Sequence, residues 1–250
     1  MSGHSKWAGI KHKKAIVDAQ RGKAFTKVVR EIMVAAKHGG ASPDGNPRLR
    51  LAMTKAREVN LPKDKIEQAI KKGTGELPGV SYEETVFEGY GPGGVAILVE
   101  ALTDNKNRTS AEIRSTFTKR NGNLAGAGSV SWLFQRKGYI LVNAPVSDEE
   151  KILSIVLDRG AEDVAREGEG FAITTDPHHF EEVKQALADA NIPVESADLT
   201  KIPQNQVRVA GNDATQVLAL VEALEEHDDV QQVYANFDIP DEILKTVAGQ

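Results

Sequence analysis

The sequence predicts a multidomain α+β protein, with an N-terminal three-helix domain followed by two ferredoxin-like α+β domains, one inserted in the other. Three observations predict it. Charge divides unevenly along the chain: residues 1–75 carry 17 Lys and Arg against six Asp and Glu, while residues 76–250 hold 14 basic and 30 acidic side chains. Apolar residues recur at helical spacing as far as Gly73, and strand-like runs begin only after Leu77-Pro78-Gly79. The elements between Tyr139 and Leu199 then read β-α-β-β-α-β, the ferredoxin-like order. A chain of 250 residues is long for one core and suits two or three domains.

Residues 1–22 are basic with little apolar periodicity and predict an arm with a short helix near Lys14–Gln20. From Lys23 the pattern is helical. Phe25, Val28, Val29, Ile32, Met33 and Ala36 share one face, Lys23, Lys27, Arg30 and Lys37 form a cationic stripe beside it, and Gly39-Gly40 ends the helix. Asn46-Pro47 predicts a capped second helix that buries Leu49, Ala52, Met53, Ala56 and Val59 and leaves Arg48, Arg50, Lys55 and Arg57 outward. After Asn60-Leu61-Pro62 a third helix turns Ile66, Ala69 and Ile70 inward, with Gly73 as its cap. Residues 1–78 therefore form the predicted helical domain.

Glu84–Tyr90 and Val95–Leu102 read as strands joined at Gly91–Gly94, and Thr109-x-x-Glu112 as a capping box opening a helix to Arg120. A strand at Ser129–Phe134 is expected to turn at Arg136-Lys137-Gly138. The inserted domain, 137–202, comprises strand Tyr139–Val142, helix Asp148–Arg159, strands Glu162–Ala165 and Phe171–Thr175, helix Pro177–Ala190 and strand Val194–Leu199. Strand Gln206–Val209, helix Ala214–Glu226 and strand Gln231–Phe237 then complete the outer domain, 79–136 with 203–240, and Asp241–Gln250 reads as a frayed tail.

Composition excludes several classes of function. With no cysteine there are no disulfides, thiolate metal sites or Cys nucleophiles. No apolar run reaches the roughly 18–20 residues that span a bilayer, and no secretory signal is evident, so the expected location is the cytoplasm. Gly89–Gly94 leads into a strand rather than a helix, which removes the dinucleotide reading of its glycines. His178 and Glu182 have i, i+4 spacing but no third ligand, and the helix start explains them without a metal. No cofactor, metal or enzymatic activity is expected.

What remains points to a polyanion. A basic head on an acidic body suits phosphate neutralisation with release of counterions. The expected contacts are Lys6, Lys11, His12, Lys13, Lys14, Arg21, Lys23, Lys27 and Arg30, with Arg48 and Arg50 gripping phosphate or guanine bidentately. Trp7 either stacks on an unpaired base or docks on the helical core. Lys106 and Arg108 are a secondary phosphate contact near a helix N-terminus. The acidic domains cannot lie flat on a polyanion and offer surface to a protein partner.

Several motifs also carry a family likeness. Gly3-His4-Ser5-Lys6-Trp7, Lys11-His12-Lys13-Lys14, Asn46-Pro47-Arg48-Leu49-Arg50, Lys71-Lys72-Gly73-Thr74-Gly75, Glu88–Gly94, Asp104–Thr109, Gly128-Ser129-Val130 with Trp132, and Tyr234-Ala235-Asn236-Phe237 resemble the YebC/PmpR family over essentially the full length. Ala125, Ala127 and Thr200-Lys201 depart from its usual pattern. The resemblance implies three domains around a crevice and a DNA-binding transcriptional regulator. Related proteins, including mitochondrial activators of cytochrome oxidase synthesis, act in translation, so ribosomal or messenger RNA is the alternative partner.

Overall fold

The computed structural model describes residues 18–142, 149–167, 170–240 and Ile243. The chain divides into two compact units, one holding residues 132–206 and the other 18–131 with 207–240.

In the larger unit, three helices form the N-terminal part: α1 (Asp18–Gly39), α2 (Pro47–Glu58) and α3 (Lys63–Gly73). They share a core of Ile32, Met33, Ala35, Leu49, Ala52, Ala56, Leu61, Ile66 and Ala69. Helix α1 is already formed at Asp18, ahead of the expected Lys23, and runs through Gly22 at a helix penalty of about 1 kcal/mol. The expected helix at Lys14–Gln20 falls partly on residues 14–17, outside the described residues.

Asn46 joins two of these helices. Its Oδ1 accepts from Leu49 N at 3.0 Å, capping α2, while its Nδ2 donates to the carbonyls of Ala35 and Gly40 at the end of α1. The glycine at 73 is not the cap expected from its position. A Cβ there would collide with the Met33 carbonyl oxygen, so it is the close approach of α3 to α1 that requires glycine, and the left-handed residue after the helix is Gly75 (φ +82°).

The α+β part of this unit contains β1 (Glu83–Tyr90), β2 (Ala96–Thr103), α4 (Lys106–Lys119), β3 (Asn123–Leu124), β8 (Val207–Arg208), α7 (Gly211–Glu225), β9 (Val230–Ala235) and β10 (Phe237–Asp238). One antiparallel sheet has the order β3-β1-β2-β9. The expected strand at Gln206–Val209 does not join it. Instead β8 pairs in parallel with β10, because the chain bends at Asn236, whose side chain accepts from Ala96 N at 2.7 Å at the start of β2. The outer domain thus uses the expected elements in a strand order of its own. Ile97, Ile113, Phe117, Val217, Val221, Leu224 and Phe237 are buried in it.

Helix α4 begins at Lys106, three residues ahead of the Thr109 capping box. Asn105 is the cap, its Oδ1 accepting from Arg108 N at 3.1 Å. Thr109 is instead fully buried and bonded to Thr103 and Asp229.

The smaller unit contains β4 (Phe134–Val142), α5 (Glu149–Val156), β5 (Ala161–Glu167), β6 (Gly170–Thr175), α6 (Phe180–Asp189) and β7 (Val194–Pro203). Its antiparallel sheet has the order β5-β6-β4-β7, the ferredoxin-like arrangement, over a core of Ile140, Ile152, Val156, Ile173, Phe180, Val183 and Leu187. No turn forms at Arg136-Lys137-Gly138; β4 runs through it, and Gly138 is needed because a Cβ would strike Thr175 and Phe180. Residues 129–133 form no strand. Helix α6 starts at Phe180, three residues late, since Asp176 caps the preceding turn through His178 N, and Glu182 meets His179 rather than His178. The segment 241–250 lies outside the described residues apart from Ile243.

Candidate nucleic-acid interface

Of the expected phosphate contacts, Lys6, Trp7, Lys11, His12, Lys13 and Lys14 lie outside the described residues, as does the side chain of Arg21. The remainder separate into cations held by the protein and cations left in solvent.

The α1 stripe belongs to the first group. Lys23 Nζ donates to the Glu226 carbonyl at 3.3 Å, Lys27 Nζ to the Glu225 carbonyl at 2.7 Å, and Arg30 Nη1 to the Asp228 carbonyl. These acceptors lie at and just beyond the C-terminal end of α7, where unsatisfied carbonyls and the macrodipole give negative character. A cationic helix face spaced for phosphates fits this end equally well. Lys37, farther along, donates to Ser81 at 2.9 Å.

Asp229 closes the arrangement. Its side chain is 2% exposed and receives Arg30 at 2.8 Å on one oxygen and Arg108 at 2.7 Å and Thr109 at 2.6 Å on the other. Burial works to raise its pKa, but the bonds from Thr109 and Arg108 and the charges of Arg30 and Arg108 outweigh it and hold the carboxyl below its usual range. The bond to Asp229 and its charge in turn raise the pKa of Arg108, which also reaches Asp104 at 3.0 Å. Arg30 stacks 5.1 Å from the Tyr82 ring centre, while its Nε is buried without a partner. Arg30 and Arg108 are thus spent on an internal carboxylate.

Glu112, His227 and Asp229 bring three ligand-type atoms within 4.8 Å of one another. The donor set does not suit a metal. Both Asp229 oxygens are already occupied, two guanidiniums stand beside them, and His227 Nδ1 accepts the Asp229 N–H while Nε2 lies 2.9 Å from Glu112. The cluster is an ion-pair hub.

Arg48 is also engaged, with Glu31 at 2.7 Å through Nε and with Glu84 through Nη2, tying α2 to α1 and β1. Burial works to lower its pKa, but the hydrogen bonds and charges of the two glutamates prevail and raise it.

Arg50 is different. It is exposed, and so are Arg57, Lys65, Lys71 and Lys72 on α2 and α3, none paired with a carboxylate among the described residues. Arg50, Thr54 and Arg57 fall at i, i+4 and i+7 along one side of α2, and Lys65, Gln68 and Lys72 at i, i+3 and i+7 along α3. Lys106 is exposed as well. Arg57 was legible as outward-facing from periodicity; Lys65 and Lys72 follow from the same rule applied to α3. Asp229 had no local signal.

A second buried carboxylate lies elsewhere in the larger unit. Glu88, 5% exposed, accepts from Gly128 N, Val130 N and Ser131 N at 2.7–2.8 Å and so fixes the loop that follows β3. Burial would raise its pKa, but the three backbone donors hold it below the ordinary value.

Comparison with known proteins finds matches along most of the chain. Residues 5–76 match the TACO1/YebC N-terminal domain, and residues 82–237 match the TACO1/YebC second and third domain. A protein of Geobacter sulfurreducens named a probable transcriptional regulatory protein is 58% identical over 245 residues, covering 98% of this chain and 99% of its own length. One of the same description from Dictyoglomus turgidum is 55% identical over 249 residues, covering 99% of this chain and all of its own. The crystal structure of a conserved hypothetical protein from Aquifex aeolicus is 51% identical, with a TM-score of 0.81 over 92% of this chain and 95% of that one. The chain belongs to the TACO1/YebC family.

Proposed function

We propose that the protein is a non-catalytic, cytoplasmic nucleic-acid-binding regulator whose first target is DNA, in keeping with the names of its relatives as probable transcriptional regulatory proteins. One observation carries the reading: α2 and α3 together hold eight basic against three acidic residues, and Arg50, Arg57, Lys65, Lys71 and Lys72 stand in solvent. Lys6, Lys11, Lys13 and Lys14 add four basic residues earlier in the sequence, while the net negative charge of residues 76–250 limits indiscriminate binding and suits a protein partner. The non-catalytic part rests on electrostatics. Among the described residues the two carboxylates with displaced pKa values, Glu88 and Asp229, are both displaced downward and fixed as anions, opposite to the upward displacement that makes a carboxylic acid a proton donor near neutral pH.

The test is binding of labelled duplex DNA and single-stranded RNA to the full chain across a salt series. About six phosphate contacts give a log K against log salt slope near −5 on duplex. Reversing Arg50, Arg57, Lys65 and Lys72 to glutamate should abolish binding with the fold intact by circular dichroism, and unchanged affinity would refute the surface. Preference for the single strand, lost in Trp7→Ala, would transfer the assignment from transcription to translation.

A further inference from the structure

We propose that the outward face of α4 is a second phosphate-binding surface, taking the sugar–phosphate backbone of a nucleic acid. The proposal rests on the nucleic-acid reading above and adds a site in a part of the chain whose overall charge is acidic.

Sequence placed Lys106 and Arg108 together as a minor contact, and the structure separates them. Arg108 turns to Asp229 and Asp104, and Glu112, the only acid on α4, turns to His227 and Arg108. Glu112 is itself half in solvent, but it is paired, and the unpaired charges that α4 presents all have one sign. Lys106, Arg114 and Lys119 on the helix and Arg120 at its end are all exposed, and none is paired with a carboxylate among the described residues.

Shape supports the same occupant. Asn107, Ser110, Ala111, Arg114, Ser115 and Thr118 follow one another at i+3 and i+4 spacing and, with Lys119, line an open groove of about 630 Å³. Exposed helix faces are ordinarily covered by long charged side chains. Here small side chains surround Arg114, with Lys106 and Lys119 at the two ends, so a rigid anionic backbone can approach the helix closely while the ammonium and guanidinium groups reach its phosphates. Hydroxyl and amide side chains are themselves common phosphate contacts, and Arg114 in their midst can grip phosphate through two parallel N–H bonds. From Lys106 to Lys119 the helix rises about 20 Å, close to six base-pair steps of duplex. An acidic protein segment would meet the cations too, but it has no need of the small, hydroxyl-lined centre.

Three full-length variants test the proposal against labelled duplex DNA and single-stranded RNA in a potassium chloride series, each checked for an unchanged melting temperature. Arg114→Gln with Lys119→Gln removes two contacts, so the salt slope should become shallower by about 1.8 and affinity at moderate salt fall about tenfold or more. Ala111→Trp leaves charge unchanged and fills the groove; it should lower affinity comparably without altering the free protein. The quadruple reversal on α2 and α3 is the third. If the double variant keeps the wild-type slope on both probes, or Ala111→Trp binds normally, the α4 surface is refuted, and loss in the quadruple variant would show that the broader reading survives. If the quadruple variant binds normally while the double variant does not, α4 is the site and the α2–α3 surface is the one that falls.

Discussion

The cations of α1 and those of α2 and α3 belong to one small domain, yet they end in opposite situations. Lys23, Lys27 and Arg30 are bonded to the carbonyls at the end of α7 and to Asp229, whereas Arg50, Arg57, Lys65 and Lys72 face water. Nothing in residue type or spacing separates the two sets. The difference lies in what each helix is packed beside, and α1 lies against the electronegative end of another helix, which takes the place a phosphate would have. Excess charge therefore identifies a domain suited to polyanions without identifying which of its side chains are free to touch one.

The largest expected effect comes from breaking the held set at its centre. Asp229→Ala leaves Arg30 facing no carboxylate at a position where its side chain is only 14% exposed, and should destabilise the protein by about 3 kcal/mol, the lower end for uncompensated buried charge because Arg108 is half in solvent. Urea unfolding monitored by circular dichroism measures it; a loss under 1 kcal/mol would mean the cluster is not a clamp. The same variant should raise nucleic-acid affinity if α1 then becomes available, which a titration of the folded protein would detect.

Next in size is Glu88→Gln, which replaces an anion by an amide that keeps one acceptor oxygen and turns its NH2 group toward at least one of the three backbone donors, at about 2 kcal/mol. Its pH dependence is distinctive. Glu88 and Asp229 both have folded pKa values below their unfolded ones, about 4.3 and 3.9, so each contributes stability in full above those values. As pH falls from there through the lower folded values, the contribution disappears. Wild-type stability should therefore fall steeply below about pH 4, and Glu88→Gln should flatten that fall while lowering stability at pH 7. An acid limb of equal slope in both proteins would contradict the role given to Glu88. Asn46→Ala follows at about 1–2 kcal/mol, since it removes a cap from α2 and leaves the Ala35 and Gly40 carbonyls short of a donor, again read from urea midpoints.

Much of the fold was legible because it is local. The Asn46-Pro47 start of α2, the 3.6-residue periodicity of the core and the β-α-β-β-α-β order of the inserted unit need no knowledge of distant residues. The misplaced features have distant causes. Gly73 and Gly138 look like punctuation, but each is required by a neighbour remote in sequence, the Met33 carbonyl in one case and Thr175 with Phe180 in the other. Thr109 looks like a cap and is a buried partner of Asp229, 120 residues on. The candidate site was legible as a domain and less so as residues, since pairing of Arg48 with Glu84 or Arg30 with Asp229 is a tertiary event that spacing does not encode.

The smallest stability change sharpens the comparison most. Arg57→Glu with Lys65→Glu alters four units of charge on exposed positions that touch no carboxylate, and surface substitutions of this kind stay within about 0.5 kcal/mol. Lys27→Glu changes only two units, but it places a carboxylate against the Glu225 carbonyl and the negative end of α7, and should cost about 1 kcal/mol or more. For nucleic-acid binding the order should reverse, the double variant losing far more than Lys27→Glu. Paired urea and salt-titration measurements on the two proteins would give opposite rankings if α1 is a structural clasp and α2–α3 the contact surface. The same ranking in both measurements would mean that the α1 stripe leaves α7 to meet phosphate, and that the conformation seen here is the unbound one.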